Sequence, residues 1–135
     1  MGRKNLTYLI LMLVYLGMVA WCCFGHFDGL PQVERTFFGI PSDKVVHFIM
    51  FLPFPFLCFK AFDHLATTSV RAVLIIGAIL VIGCAIAAGT EIIQAILPDR
   101  TEDIKDFAAD TAALCLTSVA TLVLHLVNKR NRTKA

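Results

Sequence analysis

The sequence predicts an all-α protein, a four-helix transmembrane bundle with both termini in the cytoplasm. Three observations predict it. The 135-residue chain is 58% hydrophobic and 16% charged, with a mean hydropathy of +0.76. A soluble domain of this size needs more charge to cover its core, so the composition belongs to the membrane class. Four apolar runs approach the ~20 residues that a helix needs to cross a hydrocarbon layer of ~30 Å. Lys and Arg fall unevenly on the two sides of those runs. No repeat, low-complexity tract or linker divides the sequence, so residues 1–135 read as one domain.

The first span covers residues 6–25. Its apolar run is long for a signal peptide, and no small-x-small site follows it cleanly, which predicts an anchored helix. The second covers residues 45–62 and contains Pro53 and Pro55. Each proline lacks an N–H and crowds the carbonyl four residues back, so this helix is expected to kink or to free carbonyls toward a polar cavity. The phenylalanines around them are expected to meet lipid and neighbouring helices. The third span, residues 72–97, carries two small-xxx-small pairs, Gly83 with Ala87 and Ala85 with Gly89. Such pairs let another helix approach closely. The fourth span, residues 107–127, offers Ala108, Ala109, Ala112 and Ala113 at a matching depth. The five cysteines lie in or beside apolar runs without metal-ligand spacing, and read as small buried hydrophobes.

Orientation follows from the cations. Arg3, Lys4, Lys60, Arg71 and the basic C-terminal tail place eight Lys and Arg on one side, against Arg35, Lys44, Arg100 and Lys105 on the other. Positive charge favours the cytoplasmic side. The tail beside a hydrophobic helix points to lipid headgroups or topology rather than to nucleic acid.

Connectivity then brings the start of the second span, the end of the third and the start of the fourth to one rim, outward-facing by the charge argument. Polar residues share helix faces there. Asp43 and His47 are four apart, Glu91 and Gln94 three apart, and Asp103, Asp106 and Asp110 follow i, i+3, i+7. Glu91 sits ~9 Å from its helix end at residue 97, and Asp110 ~6 Å beyond Asp106. A charged side chain at mid-bilayer costs ~2.5–3.5 kcal/mol on insertion scales, less near the interface. These acids therefore face the bundle interior, where His47, Lys44, Gln94, Arg100 and Lys105 are available partners. Thr101 is expected to cap the fourth helix, with Glu102 complementing its dipole and Asp99 in a turn beside Pro98. His26, His64 and His125 are expected at the membrane interface. Residues 26–42 read as an ordered loop or a short lid over the polar rim.

These residues resemble the VanZ-like family of small bacterial membrane proteins. The resemblance rests on "DKVVHF", with Asp43, Lys44 and His47, and on "EIIQAILPDRTEDIKD", with Glu91, Gln94, Pro98, Arg100, Asp103 and Asp106. It covers roughly residues 43–113. Where the family pattern continues with Asn and Gly, this chain has Asp110 and Ala113. Two nearby carboxylates resist ionising together, so Asp110 and Asp106 either share a proton or hold a cation between them. The resemblance implies a bacterial cytoplasmic membrane location and a link to the cell envelope. The founding member is associated with low-level resistance to the glycopeptide teicoplanin.

Three functions are compatible with these residues. In the first, the rim binds or passes an anionic lipid or lipid-linked envelope precursor. Arg100, Lys44 and Lys105 hold phosphate, and Asp43, Gln94, Asp103 and Asp110 complete the substrate pocket. In the second, a hydrolase or transferase uses His47 as acid or base with Glu91 or Asp106. A divalent cation on His47, Glu91, Asp106 and Asp110 belongs to this reading. No nucleophile elbow, His-x-x-x-His pair or phosphate loop is present, and nothing singles out Ser42, Thr90 or Thr111. In the third, the polar residues only join three helices.

Overall fold

A computed structural model describes residues 2–25, 36–37, 39–96 and 103–134. Among them, five helices make four spans: α1 (Arg3–Phe24), α2 (Ser42–Phe51) followed by α3 (Pro53–Phe62), α4 (Ser69–Ala95) and α5 (Ile104–Lys134). All four spans are long and apolar enough to cross a membrane. The second runs Ser42–Leu65 and includes a closing 3-10 turn at Asp63–Leu65. The all-α bundle expected from the sequence is therefore what the chain forms. One small addition is an antiparallel pairing of β1 (Thr36–Phe37) with β2 (Ile40–Pro41) before α2. Gly39 in its turn takes φ 81°, a left-handed conformation that a Cβ disfavours.

Each span begins three residues before its expected start, and α5 also runs on past its apolar run, whereas α4 ends at Ala95 rather than at residue 97, which leaves Glu91 ~6 Å from that end. Arg3, Lys4 and Asn5 join α1, and the basic residues from Lys129 onward join α5. Hydropathy reports which residues suit lipid, whereas backbone hydrogen bonding continues for another turn or more into water. Thr68 caps α4 by accepting the Arg71 N–H at 3.1 Å.

The proline prediction resolves into a broken helix at Leu52. Leu52 keeps helical angles (φ −55°, ψ −43°), so α2 and α3 remain one span. The Met50 carbonyl, just before the break, accepts a hydrogen bond from the Tyr15 hydroxyl of α1. The break thus gives α1 a polar grip on the second span. Phe51, Phe54 and Phe59 are buried between helices, and Phe56 is exposed.

Only one of the two small-residue pairs is used in packing. Gly83 and Ala87 are buried, and a Cβ added at Gly83 would stand 2.8 Å from Leu114 Cδ2. Ala85 is exposed, and Gly89 has open space where a Cβ would go. On α5, Ala113 is buried against this seam, while Ala108 and Ala112 are exposed. Outward-facing apolar side chains such as Val14, Leu74, Val81 and Val119 form the surface that lipid covers in a spanning bundle.

Candidate functional site

α2 and α5 both start at one rim and run parallel into the bundle. Lys44 and His47 are one turn apart on α2, and Asp106 and Asp110 one turn apart on α5, rises of ~4.5 and ~6 Å. The two helices therefore meet in step, Lys44 with Asp106 and His47 with Asp110. Lys44 Nζ donates to Asp103 Oδ2 at 2.7 Å, Asp106 Oδ1 at 3.0 Å and Asp43 Oδ2 at 3.2 Å. An ammonium has three protons, so all three are engaged. His47 Nδ1 lies 3.2 and 3.3 Å from the two oxygens of Asp110, whose residue is 0% exposed. Asp110, the acid standing where the family pattern has Asn, is thus the ring's partner.

α4 arrives at the same rim from the opposite direction. Glu91 accepts the Asp103 backbone N–H at Oε2 (3.2 Å), tying α4 to the start of α5. Its Oε1 is buried, has no hydrogen-bond partner, and lies 3.9 Å from His47 Nδ1. One ligand-capable atom each from His47, Glu91 and Asp106 lies within 4.8 Å of the others. Asp103 precedes α5 and accepts the Lys105 N–H at 2.9 Å, as an N-cap does. The Lys44 ammonium, and then this backbone N–H, hold the Asp103 carboxyl below its ordinary range.

Several expected site residues take other places. Gln94 donates to the Cys23 carbonyl of α1 at 3.2 Å and so binds α1 to α4 rather than facing the acids. Asp43 stands at the mouth with its side chain 57% exposed, and Lys44 with His47 supplies the inward face of α2. Lys105 is exposed. Thr90 donates back to the Ala87 carbonyl at 2.7 Å. Arg100 lies outside the described residues, as do Pro98, Asp99, Thr101, Glu102, His26 and residues 26–35 of the loop. Asp103 occupies the capping position next to α5. Of the remaining histidines, His64 is exposed, and His125 packs edge-on against Phe59 with ring centroids 5.0 Å apart. Sequence reasoning missed Tyr15 and Asn5 on α1. A tyrosine hydroxyl within an apolar run needs a partner, and that was the available signal.

Beside the acids lies an open groove of about 560 Å³, bordered by Glu91 and Asp103 and walled by Ala88, Ile92, Ile104 and Phe107. Charged oxygen atoms at one edge and apolar side chains along the others can receive a molecule with a polar head and a hydrocarbon tail.

Comparison with known proteins agrees with this architecture. A family model described as VanZ/LLP1 matches residues 12–125, and the chain belongs to that family. No curated protein and no solved structure matches the chain.

Proposed function

We propose that this VanZ-family membrane protein binds the polar head of an anionic lipid or lipid-linked cell-envelope precursor at its charged rim, on the outer side of a bacterial cytoplasmic membrane. The observation that carries the reading is the junction between the carboxylates of Glu91 and Asp103 and the apolar walls of the adjoining groove. An amphiphile has the same division. The excess of Lys and Arg at the opposite rim supports the outward orientation.

Carboxylates suit sugar hydroxyls and amines as hydrogen-bond acceptors. A phosphate has fewer obvious partners, because Lys44 already faces three acids. Its contact with the exposed Asp43 is the longest of the three, and is the one a phosphate oxygen would replace. Lys105 and Arg100 are the further cations of this segment. Glycopeptides act outside the cytoplasmic membrane, so this site fits a role in teicoplanin tolerance of the kind associated with the family.

Lipid extraction and mass spectrometry of the purified protein test the reading. Wild type is expected to retain a phosphate-bearing lipid that Glu91→Gln and Asp106→Asn lose while eluting as folded protein. Variants that keep the lipid, or that lose only thermal stability, would reduce the cluster to a helix-joining network. In a susceptible host, wild type is expected to raise teicoplanin tolerance and the same variants are not.

One contact favours a second reading. His47 resembles an oriented acid–base group, with the buried Asp110 in the orienting place expected for Glu91 or Asp106. Turnover separates the two: incubation with a lipid-linked precursor extract yields a new product only from an enzyme.

A further inference from the structure

The geometry points to a divalent cation site formed by His47, Glu91 and Asp106, with the Asp110 carboxylate bordering it. Charge balance is the first argument. Glu91, Asp106 and Asp110 are 8%, 7% and 0% exposed, and the described cations in contact with them are Lys44 and His47. Even with a charged imidazole, the three buried carboxylates outnumber the described cations facing them, and Lys44 is shared with Asp43 and Asp103. Burying unbalanced charge at a membrane rim is costly, and a bound 2+ ion removes the excess.

The orphaned oxygen is the second argument, independent of charge. Glu91 Oε1 is buried and accepts no hydrogen bond, although its sister oxygen does. A buried acceptor without a partner costs ~1–3 kcal/mol unless something fills its coordination. What lies beside it is His47 Nδ1 at 3.9 Å. Two ligands each ~2.1 Å from one metal stand ~3–4 Å apart, so this gap suits an ion bridging them. Asp106 completes the group within 4.8 Å, and its Oδ2 carries no hydrogen bond among the described residues. Asp110 lies 3.2 Å from the same His47 Nδ1, so its carboxylate borders the ion and adds negative charge to the site.

Ligand chemistry narrows the ion. Mg²⁺ and Ca²⁺ prefer all-oxygen shells, whereas one imidazole nitrogen with carboxylates suits Mn²⁺ or Zn²⁺. Lys44 stays on Asp103, Asp43 and the other oxygen of Asp106, outside the coordination sphere. Three protein ligands leave positions open, and there the ion could also contact a phosphate oxygen. That bridging role alone rests on the lipid reading.

The test uses the full chain in detergent, stripped with chelator and dialysed into metal-free buffer. Titration with Mn²⁺ by calorimetry is expected to give one saturable ion per chain, confirmed by elemental analysis. Glu91→Gln and His47→Gln are expected to weaken binding by about tenfold or more. Asp63→Asn, at the far rim, leaves it unchanged. Should the ligand variants fail to fold, pulsed electron paramagnetic resonance of wild type with Mn²⁺ decides the matter through the imidazole nitrogen coupling. Absence of saturable uptake, absence of that coupling, or wild-type affinity in folded Glu91→Gln each overturns the site. Ion binding is read without lipid. A protein that retains lipid after chelation yet takes up no ion refutes the cation site and leaves the lipid reading standing, and the reverse result separates them equally.

Discussion

At one rim of the bundle, Asn5 and Lys129 reach across helices to the backbone carbonyls of Lys60 and Thr67, each at 2.9 Å. At the other, Lys44 and His47 reach carboxylates on two different helices. Both rims are tied by polar side chains, but the chemistry differs. A carbonyl carries no net charge, and a single neutral amide such as Asn5 serves as a tie. The described acid at that rim, Asp63, is partly exposed and accepts from Asn5 at 2.7 Å. The other rim buries three acids where an apolar contact would join the helices at lower desolvation cost. Helix joining accounts for the first rim and leaves the second with charge it does not need.

The sharpest way to break this comparison is Lys44→Met. It removes the ammonium shared by three carboxylates and is expected to cost about 3 kcal/mol, read by denaturant titration in detergent. A loss no greater than that of a rim-tie variant would make the two ends equivalent. Asn5→Ala is the matched change at the far rim. It deletes one neutral amide with two acceptors, for an expected ~1 kcal/mol. The smallest effect is a pH dependence at Asp103, whose carboxyl the folded state holds below its ordinary pKa. A depressed carboxyl stabilises the fold fully above the unfolded pKa of about 3.9, and this contribution fades as pH falls through the lower folded value. Wild type and Asp103→Asn should therefore differ at neutral pH and converge in strong acid. A constant gap across the acid titration would show that Lys44 does not set the Asp103 carboxyl.

Much of the site was legible because helical periodicity acts within a single segment. Asp103, Asp106 and Asp110 share a face by spacing, and connectivity brings that face to the start of the second span and the end of the third. Residue 94 marks where periodicity stops deciding. Three residues turn a helix through ~300°, so Glu91 and Gln94 overlap only at the edges of their faces. With α5 on one side and α1 on the other, Glu91 bonds the former and Gln94 the latter. Asp43 and Lys44 divide in a similar way: both flank the acids, and packing turned the cation inward.

By itself the sequence determined four apolar helices, their connectivity and the rim that gathers the acids, since each depends on hydropathy or spacing along one segment. Tertiary structure decided what required a neighbour. It selected Gly83 and Ala87 over Ala85 and Gly89 for the close seam, because only one stripe of α4 can face Leu114. It assigned Tyr15 to the carbonyl beside the proline break, and set His47 closer to Asp110 (3.2 Å) than to Glu91 (3.9 Å). Periodicity describes a helix alone, and partners are settled only when several helices compete for the same space.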